Sequence, residues 1–181
     1  MRSFSCTLIL VCLSLYSFAQ TQNNIYSQFK NDLRRQKLKG NVSSVVENEY
    51  NSTGDSLLLK AVTKYNDKGN MSEFFTYSPS GAVLSKTTFT YNDSDKITEE
   101  LRYKADGSLN VKTIYKYDDR GNKIEEYNYD ATGTMFMKVQ AKFDGKGNRL
   151  VKDSYNMFGA LFLKCNSKFD EHGNEISVKE Y

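Results

Sequence analysis

Lys112-Thr113-Ile114-Tyr115-Lys116-Tyr117, then Asp118-Asp119-Arg120-Gly121-Asn122, then Lys123-Ile124-Glu125-Glu126-Tyr127-Asn128-Tyr129 is the stretch from which the fold can be read. Two runs rich in Tyr, Ile and Thr have strand composition. Between them Asp stands first and Gly fourth, the pattern of a type I turn whose last residue takes the left-handed backbone of a three-residue hairpin loop that closes with a bulge. Outward from this hairpin the same block returns without a gap. Lysine recurs at Lys60, Lys86, Lys112, Lys138 and Lys164, an aromatic at Tyr65, Tyr91, Tyr117, Phe143 and Phe169, and tyrosine at Tyr77, Tyr103, Tyr129, Tyr155 and Tyr181, every step being 26 residues. Such self-similarity marks a repeat architecture, in which each unit buries its apolar surface only against its neighbours.

The fourth turn positions are Gly54, Gly69, Gly81, Asp95, Gly107, Gly121, Gly133, Gly147, Gly159 and Gly173. Ten turns join eleven strands. Loops this short allow only antiparallel returns, because a parallel return needs a crossover of about a dozen residues. The fold class is therefore all-β, a single antiparallel meander of about eleven strands. A sheet this wide is expected to curl.

A three-residue loop pairs Asn66 with Asn70, so odd-numbered residues should face odd-numbered ones from strand to strand. That rule collects Leu57, Ala61, Val83, Phe89, Val111, Tyr115, Met135, Leu161 and Cys165 on one buried face. Glu73, Glu99 and Glu125 share it and should reach solvent. The other face carries the lysine column, with Lys112 opposite Glu100, Lys138 opposite Glu126, and Phe74, Phe136 and Phe162 among the lysines.

Residues 1–19 read as an export signal: Arg2 is followed by the apolar run Leu8 to Leu15 and the small residues Ser17 and Ala19, with cleavage expected before Gln20. The run is too short to span a bilayer, so no transmembrane segment is expected after cleavage. The destination is the periplasm or the exterior. Residues 20–40 read as a helical segment, with Ile25, Phe29 and Leu33 at four-residue spacing and Gly40 as a stop. Residues 41–181 form the β-hairpin repeat domain. Cys165 alone remains once Cys6 and Cys12 leave, which excludes an internal disulfide. A formal charge of +3, including Arg2, is too balanced to argue for nucleic acid.

The recurring Tyr-Asp-x-x-Gly-Asn, as at Tyr117 to Asn122, resembles the YD repeats of the RHS family and the short exported repeat proteins of Bacteroidetes with this spacing. The resemblance covers roughly Gly40 to Tyr181. It implies β-hairpin shells or spirals and a scaffold or binding role, in some members toward carbohydrate. Several copies depart from the pattern, reading Tyr-Asn (Tyr65-Asn66, Tyr91-Asn92, Tyr155-Asn156) or Phe-Asp (Phe143-Asp144, Phe169-Asp170). With few strands and an end on the consensus Tyr181, the family's encapsulating role is not expected to carry over.

Catalytic chemistry has little to draw on. His172 occupies a turn position held by Lys68 and Arg120 in sister units, and Cys165 aligns with Ala61, Thr87, Thr113 and Val139. Glu99-Glu100 and Glu125-Glu126 are adjacent in strands, so the members of each pair point to opposite faces and cannot flank one bond. The turn acids follow no calcium-loop spacing. The expectation is a non-enzymatic protein with neither cofactor nor metal. Its candidate binding surface is Phe74, Phe136, Phe162, Lys112, Lys138 and Lys164, offered to a glycan or an envelope protein. The alternative is a structural or immunity-type protein that engages one protein partner; an enzyme ranks last.

Overall fold

The computed structural model describes residues 42–181. The export signal and the helical segment lie outside the described residues. One open sheet contains eleven strands in chain order, all neighbours antiparallel: β1 Ser44–Tyr50, β2 Leu57–Tyr65, β3 Met71–Tyr77, β4 Val83–Tyr91, β5 Ile97–Tyr103, β6 Leu109–Tyr117, β7 Lys123–Asp130, β8 Met135–Phe143, β9 Arg149–Asn156, β10 Leu161–Phe169 and β11 Glu175–Glu180. No described residue is helical.

The turns close as the sequence predicts. In the β2–β3 turn the Asn66 N–H donates to the Asn70 carbonyl at 2.8 Å and the Gly69 N–H to the Asn66 carbonyl at 2.8 Å. Asn66 Oδ1 accepts from the N–H groups of Lys68 and Asn70 at 3.1 and 2.9 Å. This is the local bonding that makes Asn and Asp turn formers. All nine fourth-position glycines have positive φ, and Asp95 follows them at φ 56°.

The predicted facing fails after each turn, for one reason. Tyr65 pairs with Met71 as the loop requires, but Lys64 pairs with Glu73, leaving Ser72 unopposed. The same one-residue bulge recurs in all ten hairpins, leaving Leu58, Ser72, Leu84, Thr98, Asn110, Ile124, Phe136, Leu150, Phe162 and Ile176 without a partner. One extra residue inverts the pleat. Beyond the bulge, odd-numbered residues of β2, β4, β6, β8 and β10 therefore share a face with even-numbered residues of β3, β5, β7 and β9.

That face, the threonine face, carries the buried side chains Ala61, Thr63, Phe74, Thr76, Thr87, Glu100, Thr113, Asn128 and Ser154. Ala61 and Phe74 are its fully buried apolar members among the described residues. Its polar groups bond to one another: Thr113 Oγ1 donates to Asn128 Oδ1 at 2.9 Å, and the Thr76 and Ser85 hydroxyls meet at 2.7 Å. Cohesion comes from half-buried cross-strand pairs, each contributing roughly 0.2–1 kcal/mol.

The turns of the β2–β3, β4–β5, β6–β7, β8–β9 and β10–β11 hairpins line one margin, and several are stitched to the turn one repeat on. Asn70 Nδ2 donates to Asp95 Oδ1 at 2.8 Å, Arg120 Nη1 to the Gly145 carbonyl at 3.1 Å, and Lys146 Nζ to the Glu171 carbonyl at 2.8 Å. The strands themselves contact only their sequence neighbours.

Candidate functional site

The lysine face is assembled by the same bulges. Glu73, Glu99 and Glu125, predicted for the buried face, stand on the lysine face as ion partners. Glu73 lies 2.8 Å from Lys64 Nζ and 2.6 Å from Lys86 Nζ, Glu99 lies 2.5 Å from Lys112 Nζ, and Glu125 lies 3.0 Å from Lys116 Nζ. Lys112 is opposite Leu101 and Tyr129, not Glu100, and Lys138 is opposite Tyr127 and Tyr155, not Glu126.

Glu100 belongs instead to the buried threonine face. It accepts from Arg102 Nε at 2.6 Å and from the Tyr115 hydroxyl at 2.9 Å. Burial, then the Glu100 charge, raises the Tyr115 phenol far above its ordinary range. Glu126 accepts from Lys123 Nζ at 2.7 Å and Asn128 Nδ2 at 3.2 Å, and Lys123 lies 4.7 Å from the centre of the Tyr115 ring.

Each repeat tyrosine stands beside a repeat lysine on the preceding strand. Lys60 lies 5.6 Å from the Tyr77 ring centre, Lys86 6.0 Å from Tyr103, and Lys138 6.0 Å from Tyr155. Phe75 lies between Lys64 and Lys86, at 5.2 and 5.3 Å. These distances lie within cation–π range. The tyrosine column and Phe75 were missed as parts of this surface because the parity rule put them on the wrong side; the 26-residue column was the available signal.

At the margin formed by the β1–β2, β3–β4, β5–β6, β7–β8 and β9–β10 turns, the bulge sets two successive residues on the lysine face. Val83 is directly opposite Tyr77, and Leu84 follows in phase with Lys86. Leu57-Leu58, Val83-Leu84, Leu109-Asn110, Met135-Phe136 and Leu161-Phe162 occupy this place in successive repeats. Val83 and Leu161, predicted to be buried, are exposed here, together with Leu58, Leu84 and Phe162, the last at 50%. The Met157-Phe158 turn tip on the same margin is also exposed.

Five of the six predicted surface residues thus share the lysine face: Lys112, Lys138, Lys164, Phe136 and Phe162. Phe74 does not. It pairs with Thr63 and Thr87 on the threonine face and is 1% exposed, because the Ser72 bulge turned it inward. Cys165, half-buried on the threonine face, has its thiol pushed up by burial and by Glu180, whose Oε1 is 3.6 Å from Sγ. His172 is exposed in its turn, 3.5 Å from Glu171.

No protein-family model matches the chain. No curated protein matches it. Among solved structures it is similar to a porin-like protein from Bacteroides uniformis, at 11% identity and TM-score 0.44, covering 80% of this chain and 57% of that one. It is also similar to the Tc holotoxin pore of Photorhabdus luminescens, at 13% identity and TM-score 0.31, covering 75% of this chain and 9% of that one.

Proposed function

We propose that this chain is an exported, non-enzymatic repeat protein of the RHS/YD type that presents its lysine face to a glycan. The observation that supports the reading best is periodic: an apolar or aromatic margin, a tyrosine row and a lysine row recur together at every second strand. Neighbouring copies stand about 10 Å apart. Flat rings and aliphatic groups offer stacking area, and ammonium groups beside them orient polar ligands. A surface that repeats suits a polymer that repeats.

The test is binding to immobilised glycans by the mature chain and by Phe136→Ala and Phe162→Ala. Loss of binding with unchanged circular dichroism supports the reading. Glycan binding indifferent to both substitutions ends it.

An envelope protein is the second reading, and one feature favours it. Met157-Phe158 puts apolar side chains at a turn tip where sister turns carry Pro79-Ser80, Ala105-Asp106 and Ala131-Thr132, and Phe158 is 74% exposed. Co-purification of a single protein, lost on Phe158→Ser and unaffected by Phe136→Ala, would favour it.

A further inference from the structure

Two departures from the repeat coincide in its last two lysine-bearing copies. The first is aromatic. The bulge position on the lysine face reads Leu58, Leu84, Asn110, Phe136, Phe162, so phenyl rings occur only in the copies that begin at β8 and β10. The second is electrostatic. Lys86 and Lys112 are held by Glu73 and Glu99 at 2.6 and 2.5 Å, whereas Lys138 and Lys164 stand 4.0 Å from Glu125 and Asp153, beyond hydrogen-bond reach. Lys60, opposite Asn48 and Tyr77, also has no carboxylate partner among the described residues, but its copy carries Leu58 in place of phenylalanine.

The cause of the second departure differs in the two copies. Glu125 already accepts from Lys116 Nζ at 3.0 Å, the Tyr127 hydroxyl at 2.9 Å and Gln140 Nε2 at 3.0 Å, so Lys138 is left at the edge of that cluster. In the next copy Val151 replaces the glutamate, and the carboxylate moves two residues on, to Asp153. In both copies the ammonium lies two residues beyond the phenylalanine, on the same face, without a carboxylate bonded to it.

The two Phe–Lys pairs are related by one repeat, two strand spacings or about 10 Å. A β-1,4-linked glycan turns successive rings over, so the same ring face and substituent recur at every second sugar, over close to that distance. A carboxylate on every ring would leave half the acid groups without an ammonium. An uncharged glycan would leave both ammonium groups unused.

Resting on the glycan reading above, we infer that β8–β10 form a subsite for a linear acidic glycan in which a uronic acid alternates with a neutral sugar. The glycan runs across the strands. Phe136 and Phe162 stack on the neutral rings, and Lys138 and Lys164 pair with the uronate carboxylates.

The test is titration calorimetry of the mature chain with three oligosaccharides of equal length: alternating glucuronic acid and N-acetylglucosamine, uncharged chito-oligosaccharide, and oligogalacturonate. The alternating probe should bind most tightly. Lys138→Gln with Lys164→Gln should weaken it by about tenfold or more, as expected for losing charge-assisted bonds. Lys68→Gln, in the β2–β3 turn and outside the lysine face, should change its affinity by less than about twofold. If the chito-oligosaccharide or the oligogalacturonate binds as tightly as the alternating probe, or the double variant binds it unchanged, the acidic subsite is wrong and the broader glycan reading stands. Failure of all three probes and of the immobilised glycans sinks both.

Discussion

At the scale of single residues, the fourth turn position sets the largest local demand. A side chain in the left-handed region costs roughly 1–2 kcal/mol, less for Asp, which bonds locally. Asp95 accepts that cost at φ 56° while receiving Asn70 Nδ2 at 2.8 Å and Lys68 Nζ at 3.5 Å, both in exposed contacts. Exposed pairs contribute little, so Asp95→Gly should raise stability by up to about 1 kcal/mol in urea unfolding. Gly121→Ala should lower it by about 1–2 kcal/mol, since φ there is 81° and a new Cβ would lie 3.3 Å from Lys96 Cε. Glu125 makes a second demand. Its hydrogen bond from Lys116, followed by that from the Tyr127 hydroxyl, outweighs burial and holds its carboxyl at about 2, against an ordinary 4.5. A carboxyl depressed on folding contributes stability that is present above the ordinary value and lost as pH falls through the folded one. The loss should therefore develop between about pH 4.5 and 2. Carbon-13 NMR should place the Glu125 midpoint near 2, and Lys116→Met should move it upward; an ordinary midpoint in the unsubstituted protein would mean that the ion pair does not form in solution.

At the scale of strands, Tyr91 and Tyr117, each the last residue before a turn, have a second task, reaching across to the preceding strand. The Tyr91 hydroxyl donates to the Met71 carbonyl at 2.7 Å, and the Tyr117 hydroxyl to the Ile97 carbonyl at 2.8 Å. Phe143 and Phe169 hold the same place without a hydroxyl. Phe143→Tyr should gain about 0.5–1.5 kcal/mol by reaching the Lys123 carbonyl, and Tyr117→Phe should lose a similar amount. Urea midpoints moving the other way would show that ring packing alone governs the position. Strand number, turn sites and antiparallel order were legible because each rests on local chemistry, the Asx group at the first turn position and the glycine at the fourth. The bulge beyond the turn was not. Its residues include Ser72, Leu84, Asn110 and Ile176, with no glycine among them and no shared side-chain chemistry, so parity was carried straight through every hairpin. The error fell unevenly on the candidate surface. Lys112, Lys138 and Lys164 lie on the strands whose parity survives, and Phe136 and Phe162 are themselves bulge residues in phase with those lysines. Phe74 lies on a short strand, where parity inverts.

At the scale of the molecule, strand contacts run only between sequence neighbours, so stability should be a sum of units and of the interfaces between them. Excision of residues 66–91 removes one unit of 26 residues and joins Tyr65 to Asn92, replacing one aromatic–turn junction with its equivalent. The β2–β5 hairpin so created would keep the Asn92-to-Asp95 turn, and Phe136, Phe162, Lys138 and Lys164 would keep their neighbours, the Lys116–Glu125 pair included. The shortened chain should fold, with circular dichroism per residue unchanged. Its urea m-value should fall by about a fifth, because m follows the surface exposed on unfolding. Binding to the alternating acidic glycan should persist, since the subsite lies in β8–β10. An unfolded product would refute nearest-neighbour additivity, because every surviving strand would still have a partner of its own kind. A folded product that has lost the glycan would move the site toward β3 and β4, where Phe75 and Lys86 lie on the lysine face.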